Sequence, residues 1–132
     1  MAQENVEVAK AFYEAYNARD SEALDRLLHP EAEITTLSAR GGLGGEWTRG
    51  STKQYFEQLD EAWAGLQIEI EDYREVGERV VALGVARGAG LSSHVEIASD
   101  FAAVLVVNGS QIMLVDSYSN RKDALESVGL SL

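Results

Sequence analysis

The chain contains no cysteine and only one proline among its 132 residues. Without cysteine there can be no disulfide, no thiolate nucleophile and no thiolate metal site. The two histidines, His29 and His94, share no ligand spacing with the carboxylates, so we expect no metal ion and no cofactor. A hydrophobic content of 45% together with the single proline excludes a disordered chain.

Basic residues and long apolar runs are also scarce. The chain has 11 Lys and Arg residues against 22 Asp and Glu residues, which gives a formal net charge of −11. This charge repels phosphate backbones and anionic lipids, so nucleic acid and membranes are not expected partners. The longest apolar run, FAAVLVV, is too short to span a bilayer, and MAQENVEVAK has no signal core. These absences predict a cytoplasmic protein.

The length and the even composition predict one domain over residues 1–132, whose first half is mostly helical. An apolar stripe made of Val8, Ala9, Phe12, Tyr13 and Tyr16 predicts a helix over residues 4–17. Asp20 is a suitable N-cap for a second, short helix that ends before Pro30. The stretch AEITTL then reads as a strand. A glycine-rich loop occupies residues 41–50, without the spacing of a phosphate-binding loop, and a capping box formed by Ser51 and Gln54 opens a third helix. The apolar stripe of this third helix is Tyr55, Phe56, Leu59, Ala62, Trp63 and Leu66.

From residue 67 onwards the hydrophobic period changes to two, which predicts strands. QIEIEDYREV, ERVVALGVARG, HVEIASDFAAVLVV and QIMLVDSYSN are the successive strands, and NGS is the turn of the last hairpin. A short helix, RKDALESV, closes the chain. Helices followed by a run of antiparallel strands predict an α+β domain, with the helices packed on one face of a curved sheet.

Asp116 interrupts the last strand directly after four apolar residues, in IMLVDSYSN. Strand alternation places it on one face with Leu114 and Tyr118. A two-residue turn at Gly109-Ser110 would set Asp116 opposite Ala103 and point it into the helix-covered cavity. A three-residue loop would instead reverse the face of every side chain. A further interpretation is that Asp116 lies at a strand end that is exposed to solvent.

Both faces of this hairpin are rich in apolar residues. One face carries Val104, Val106, Met113 and Val115, and the other carries Phe101, Leu105, Ile112 and Leu114. The three predicted N-terminal helices can cover only one of them, and no remaining helix could span the second. We therefore expect a homodimer formed through the sheet.

The order of these segments resembles the SnoaL-like branch of the nuclear-transport-factor-two-like superfamily, to which the ketosteroid isomerases also belong. The resemblance rests on ENVEVAKAFYEAYNARDSEALDRLLHPEAEI, GEWTRG, DFAAVLVVNGSQIMLVDSY and RKDALESVGL, and it covers nearly the whole chain. It implies a cone: a curved antiparallel sheet wrapped around the N-terminal helices, open at one end to an apolar pocket, and commonly dimeric.

The resemblance also implies candidate site positions. In ketosteroid isomerases a carboxylate base occupies the position that matches Thr36, and a tyrosine donor occupies the position that matches Phe12. SnoaL-like cyclases pair a histidine, at the position of Ala103, with an acid, at the position of Asp116. Of the two cyclase groups only Asp116 is present in this chain.

Two functional hypotheses follow. In the first, the chain is a cofactor-free isomerase, cyclase or hydratase that uses Asp116 as its acid or base on a small hydrophobic molecule. In the second, it is a non-catalytic, dimeric module that binds such a molecule. A donor close to Asp116 inside an enclosed cavity would favour the first. In either hypothesis the expected pocket consists of Phe12, Tyr16, Thr36, Trp47, Phe56, Phe101, Ala103, Leu114 and Tyr118.

Overall fold

A computed structural model describes residues 2–36 and 47–130 of the chain. The elements, in chain order, are α1 (Ala2–Asn17), α2 (Ser21–Leu27), β1 (Leu28–Thr35), α3 (Thr52–Ala62), β2 (Trp63–Val76), β3 (Arg79–Gly90), β4 (Glu96–Asn108), β5 (Gln111–Tyr118) and α4 (Arg121–Ser127). Within these two ranges, no helix is both long enough and apolar enough to cross a membrane.

The five strands form one sheet in the order β1-β5-β4-β3-β2. Strands β2 to β5 are successive antiparallel neighbours, whereas β1 lies parallel to β5 at the edge. The α+β class and the packing of the first three helices against a curved sheet confirm the fold that the sequence predicts. The parallel pairing of β1 with β5 is the exception to an otherwise antiparallel sheet.

The main core lies between α1, α2 and α3 and the inner face of the sheet. Helix α1 buries the stripe that its periodicity predicts, including Ala9, Phe12, Tyr13 and Tyr16. Asp20 caps α2 as expected, because its side chain accepts a hydrogen bond from the backbone N–H of Ala23.

Helix α2 ends at Leu27, before Pro30 as predicted, but the start of α3 differs from the prediction. Pro30 itself lies inside β1, where it is tolerated because an edge strand pairs on one side only. Ser51 is the N-cap residue of α3, but the predicted capping box does not form. The Ser51 hydroxyl bonds instead to the backbone N–H and carbonyl of Thr48, which closes a local turn. Residues 41–46 of the predicted glycine-rich loop lie outside the described part.

The outer face of the sheet has a helical cover that the sequence analysis did not anticipate. Helix α4 buries Ala124 and Leu125 against a second apolar cluster of the sheet, made of Val81, Leu83, Ala102 and Val104. The expectation that no helix remains for this face is therefore wrong. The reason is that β5 ends at Tyr118 and the chain turns back over β3 and β4 within three residues.

The β4–β5 hairpin has the expected two-residue turn at Gly109-Ser110, because Asn108 pairs directly with Gln111. A β-bulge follows at once: Val107 pairs with Ile112, but Val106 pairs with Leu114. Met113 is thus an extra residue on β5. Every side chain beyond it is shifted to the opposite face from the one that strict alternation predicts.

Gly84 of β3 is required by a close approach of the neighbouring strand. A Cβ atom at this position would stand 1.9 Å from the carbonyl oxygen of Glu69, which is backbone and cannot rotate away. We expect Gly84→Ala to lower the free energy of unfolding by about 3 kcal/mol, because β2 and β3 must separate locally to admit the methyl group.

Gly90 provides the control on the same strand. Its added Cβ would meet the Ser93 hydroxyl at 2.4 Å, and that side chain can rotate. Both variants should be measured by urea titration. Gly90→Ala should lower the free energy of unfolding by less than about 1 kcal/mol. Equal losses for the two variants would show that the contact with Glu69 does not constrain the sheet.

Candidate functional site

A cavity of about 220 Å³ lies between the helices and the inner face of the sheet. Aromatic residues dominate its wall: Phe12, Tyr13, Tyr16, Trp47, Tyr55, Trp63 and Phe101. Aliphatic residues fill the rest, and the hydroxyls of Thr36, Ser99 and Ser117 are also present. Because Ser99 is exposed and Ile97 only half-buried, the cavity reaches solvent beside the start of β4.

Trp47 is the centre of the aromatic packing. Its indole is 3% exposed and stacks on Tyr55, with ring centroids 4.6 Å apart, and on Phe12, at 5.8 Å. Tyr16 and Phe56 contact it at tilted angles. Offset and tilted aromatic pairs contribute beyond the area that they bury. One side chain therefore joins α1 to α3 and fixes two sides of the cavity.

A buried hydrogen-bond relay fixes the orientation of the Trp47 ring. The indole N–H donates to the Thr52 hydroxyl over 2.8 Å, and that hydroxyl donates to the Asp25 carboxylate over 2.7 Å. Thr52 is fully buried. The Asp25 carboxylate also accepts from the backbone N–H of Gly50, so the relay joins the end of α2 to the start of α3.

Tyr16 and Tyr55 form a hydroxyl pair in the cavity wall, with 3.1 Å between their oxygens. Arg19 lies behind them, with its guanidinium 5.6 Å from the centre of the Tyr16 ring. The guanidinium also donates to the carbonyl of Leu66 on β2 and to the Asp60 carboxylate on α3. Arg19 thereby holds the end of α1 against α3 and β2, and the sequence analysis did not single it out.

The cavity tyrosines are held in their neutral form. Burial raises the pKa of Tyr13 well above its ordinary value, and proximity to Tyr73 and Tyr55 raises it further. Burial likewise raises the pKa of Tyr16, with a contribution from Tyr55 and a smaller opposing effect of Arg19. Burial also raises the pKa of Tyr55. These hydroxyls are therefore hydrogen-bond donors, and at neutral pH none of them is a base.

The cavity wall, as far as the described residues form it, carries no Asp, Glu, Lys, Arg or His. Nor do the described residues bring together three groups that could hold a metal ion. The arrangement can enclose a small apolar molecule and donate hydrogen bonds to it. Among residues 2–36 and 47–130, none offers that molecule a carboxylate or an imidazole for proton transfer.

Asp116 does not lie where the sequence analysis expects it. The bulge at Met113 pairs Asp116 with Val104 instead of Ala103, and Val104 belongs to the outer cluster beneath α4. The carboxylate accepts a hydrogen bond from the Tyr118 hydroxyl over 3.0 Å. The expected donor is thus present, but both groups are on the outer face of the sheet and neither lines the cavity.

The remaining predicted pocket residues divide into two groups. The cavity wall includes Phe12, Tyr16, Thr36, Trp47 and Phe101, as expected. Phe56 is buried against Tyr16 and Trp47 without lining the cavity, Ala103 is buried in the main core, and Leu114 is on the outer face. Ala103 pairs on β5 with Ser117, which lines the cavity, whereas Leu114 is turned to the outer face by the bulge.

Several residues that line the cavity were not predicted from the sequence. Val115 and Ser117 were assigned to the wrong face by the same bulge. Trp63 and Leu66 were assigned to the third helix, whereas that helix ends at Ala62 and both residues belong to β2. Tyr13 and Tyr55 were recognised only as core residues, although Tyr13 is three positions from Tyr16 and shares its helix face.

Residues 9–115 match the model of the SnoaL-like domain family, and the chain belongs to this family. Comparison with curated proteins finds no match. Solved structures agree in fold over nearly the whole chain, and at identities this low they support the fold alone.

One such structure is a protein from Catenulispora acidiphila with a ketosteroid isomerase-like fold, in complex with trimethylamine: 19% identity, TM-score 0.74, 94% of this chain and 93% of that chain covered. A second is TerC with polyporic acid: 19% identity, TM-score 0.77, coverage 95% and 97%. A third is a nuclear-transport-factor-two-like protein of unknown function from Burkholderia pseudomallei: 18% identity, TM-score 0.74, coverage 96% and 98%.

The relay beneath Trp47 generates a stability prediction. Thr52→Val keeps the shape of the side chain but leaves the buried indole N–H and the Asp25 carboxylate without their shared partner. We expect the free energy of unfolding to fall by about 1–3 kcal/mol in urea titrations followed by circular dichroism. Thr48→Val, at an exposed threonine on the same turn, is the control and should change it by less than about 0.5 kcal/mol. Similar values for the two variants would contradict the relay.

Proposed function

We propose that this protein binds a small, uncharged, largely aromatic molecule in the cavity around Trp47 and performs no chemistry on it. The observation that carries the proposal is the composition of the described wall, in which seven aromatic side chains surround about 220 Å³ without an ionised group. Ligand pockets of this kind gain affinity from apolar burial and orientation from a few polar groups.

The size of the cavity restricts the ligand further. An apolar cavity of about 150 Å³ is large enough to hold benzene. A cavity of about 220 Å³ therefore suits a molecule of roughly two fused rings. The flat faces of Trp47, Tyr55 and Phe101 favour planar rings over branched aliphatic groups, because stacked and edge-to-face contacts are available to them.

The competing hypothesis was acid–base catalysis by Asp116, and it loses its geometric support. A general acid or base must come within hydrogen-bond reach of the atom that it protonates or deprotonates. Asp116 is on the face of the sheet opposite to the cavity, and its strand neighbour Ser117 takes the inward position. The relatives that hold trimethylamine and polyporic acid support small-molecule binding by this fold, and leave the ligand of this chain open.

We expect Ala86→Leu to abolish binding of a two-ring hydrocarbon such as 2-ethylnaphthalene. Ala86 lines the cavity from β3, so a leucine there occupies the space that the ligand needs. The measurement is the heat of binding by isothermal titration calorimetry, supported by the rise in melting temperature that a ligand of the folded state produces. Wild-type protein should bind, and Ala86→Leu should bind at least roughly tenfold more weakly, a loss of about 1.4 kcal/mol.

Ala98→Leu is the matched control, because Ala98 is exposed on the neighbouring strand and outside the cavity wall. It should bind the hydrocarbon as the wild type does. If the wild type fails to bind 2-ethylnaphthalene and similar two-ring compounds, or if Ala86→Leu binds them unchanged, the cavity is not the binding site and the proposal is wrong.

We also propose that two copies associate through the outer face of the sheet. Helix α4 covers the centre of this face, while Val85, Val106 and Leu114 are only half-buried. The correction of the register strengthens this surface, since the bulge brings Leu114 next to Val106. A cytoplasmic location and the absence of nucleic-acid partners stay predictions from the sequence.

Val106→Lys should dissociate such a dimer, because it places an unpaired charge among apolar side chains, at a cost of several kcal/mol. Sedimentation velocity should show a dimer for the wild type and a monomer or aggregate for the variant. Ser110→Lys, in the exposed turn of the same hairpin, should remain dimeric. A wild-type protein that sediments as a monomer at all concentrations rules the dimer out.

A further inference from the structure

The cavity changes character along the inner face of β4. Alternate residues of the strand share this face, and their exposure rises from Ala103, which is fully buried, through Phe101, at 4%, to Ser99, which is exposed. Phe101 and Ser99 both line the cavity. The cavity therefore has a closed, aromatic end and an opening, and the opening lies one repeat of the strand beyond Phe101.

Polar groups at the opening are not used by the protein itself. Ser99 on β4 and the half-buried Trp63 on β2 both line the cavity. Neither the Ser99 hydroxyl nor the Trp63 indole N–H bonds to a residue within the part of the chain that the structure describes, and neither is a buried atom. Because both groups reach solvent, each can exchange a water molecule for a ligand atom at little cost.

The aromatic end offers a polar ligand group much less. The hydroxyls of Tyr16 and Tyr55 bond to each other, and the Tyr13 hydroxyl is buried too deeply for a ligand to contact it. Thr36 and Ser117 are buried and already have interactions of their own. A polar group placed among these rings would lose its hydration without full compensation.

We propose that the cavity binds its ligand in one direction: the rings lie at the aromatic end, and a neutral polar substituent projects through the opening beside Ser99. This inference rests on the proposed binding function and adds the chemical class of the ligand, an aromatic alcohol or a similar molecule with one polar end. Two residues along a strand rise by about 7 Å, close to the length of two fused rings. Rings that start level with Phe101 and run towards the opening thus bring their substituent level with Ser99.

Calorimetry tests the direction with two probes that differ by one hydroxyl group, 2-ethylnaphthalene and 2-(2-hydroxyethyl)naphthalene. The wild type should bind the alcohol within about fivefold of the hydrocarbon, because a hydroxyl at the opening keeps its hydrogen bonds to water or to Ser99. A larger loss for the alcohol would show that its hydroxyl is buried among apolar side chains, and would overturn the inference.

The absence of cysteine from the chain allows a second test, because one introduced thiol is then unique. Ser99→Cys places it at the opening, and Ala98→Cys, exposed on the same strand but outside the cavity wall, is the control. The probe is 2-(bromoacetyl)naphthalene, whose reactive carbon is at its polar end. The thiol loses its proton to water, its sulfur forms a bond to that carbon, and bromide leaves. Relative to iodoacetamide, Ser99→Cys should react at least roughly tenfold faster than Ala98→Cys.

A double variant, Ser99→Cys with Val115→Cys, reports the direction itself, since Val115 is a buried residue of the cavity wall. Peptide mass spectrometry should find the naphthyl adduct on residue 99. An adduct on residue 115, or equal relative rates for Ser99→Cys and Ala98→Cys, overturns the inference while the binding function stands, provided that the wild type binds 2-ethylnaphthalene. If the wild type binds neither calorimetric probe, both proposals fail.

Discussion

The packing of aromatic rings on Trp47 is the interaction on which the cavity depends. Phe12 and Tyr16 approach it from α1, Tyr55 and Phe56 from α3, and Thr52 fixes the direction of its N–H. All of these rings except that of Phe56 form the helix side of the cavity, and their mutual contacts hold them in place. The sheet supplies the opposite wall of the cavity, with Phe101 and Val115 on its inner face.

The chemistry of the cavity follows from this packing. Apolar neighbours exclude water from the hydroxyls of Tyr13 and Tyr16, which raises their pKa and keeps their protons in place. In the Tyr16–Tyr55 pair one proton lies between the two oxygens, and the other remains able to donate. The described wall therefore presents donors without a base, which suits recognition of a ligand and does not suit its conversion.

Membership of the SnoaL-like family does not fix the function of the chain, because the same fold supports different functions. The side chains on the inner face of the sheet indicate the function. A carboxylate there would have indicated proton transfer. In this structure Ser117 takes the inward position and Asp116 bonds to Tyr118 outside.

Local patterns predicted most of the elements, because α1 and the strands follow simple periods and Asp20 and the Gly109-Ser110 turn have local signatures. The sequence also placed Trp47, Phe12, Tyr16, Thr36 and Phe101 correctly at the cavity. The facing of Asp116 could not be predicted, because a bulge of one residue has no signature in IMLVDSY yet reverses the faces of all later side chains.

Long-range pairing also escaped local reasoning. The parallel β1–β5 contact joins segments about eighty residues apart in sequence, and the docking of α4 depends on the same non-local arrangement. Neither produces a periodic pattern of its own. The apolar character of the inner face of the sheet could therefore be predicted. The residues of β5 that form this face could not.

The most direct test of the central claim is a crystal structure of the protein soaked with 2-ethylnaphthalene. We predict density for the two rings between Trp47 and Phe101 in the cavity. The structure should also show Ser117 facing the cavity and Asp116 bonded to Tyr118 on the outer face. An empty cavity, or an Asp116 carboxylate pointing at the ligand, would contradict the account.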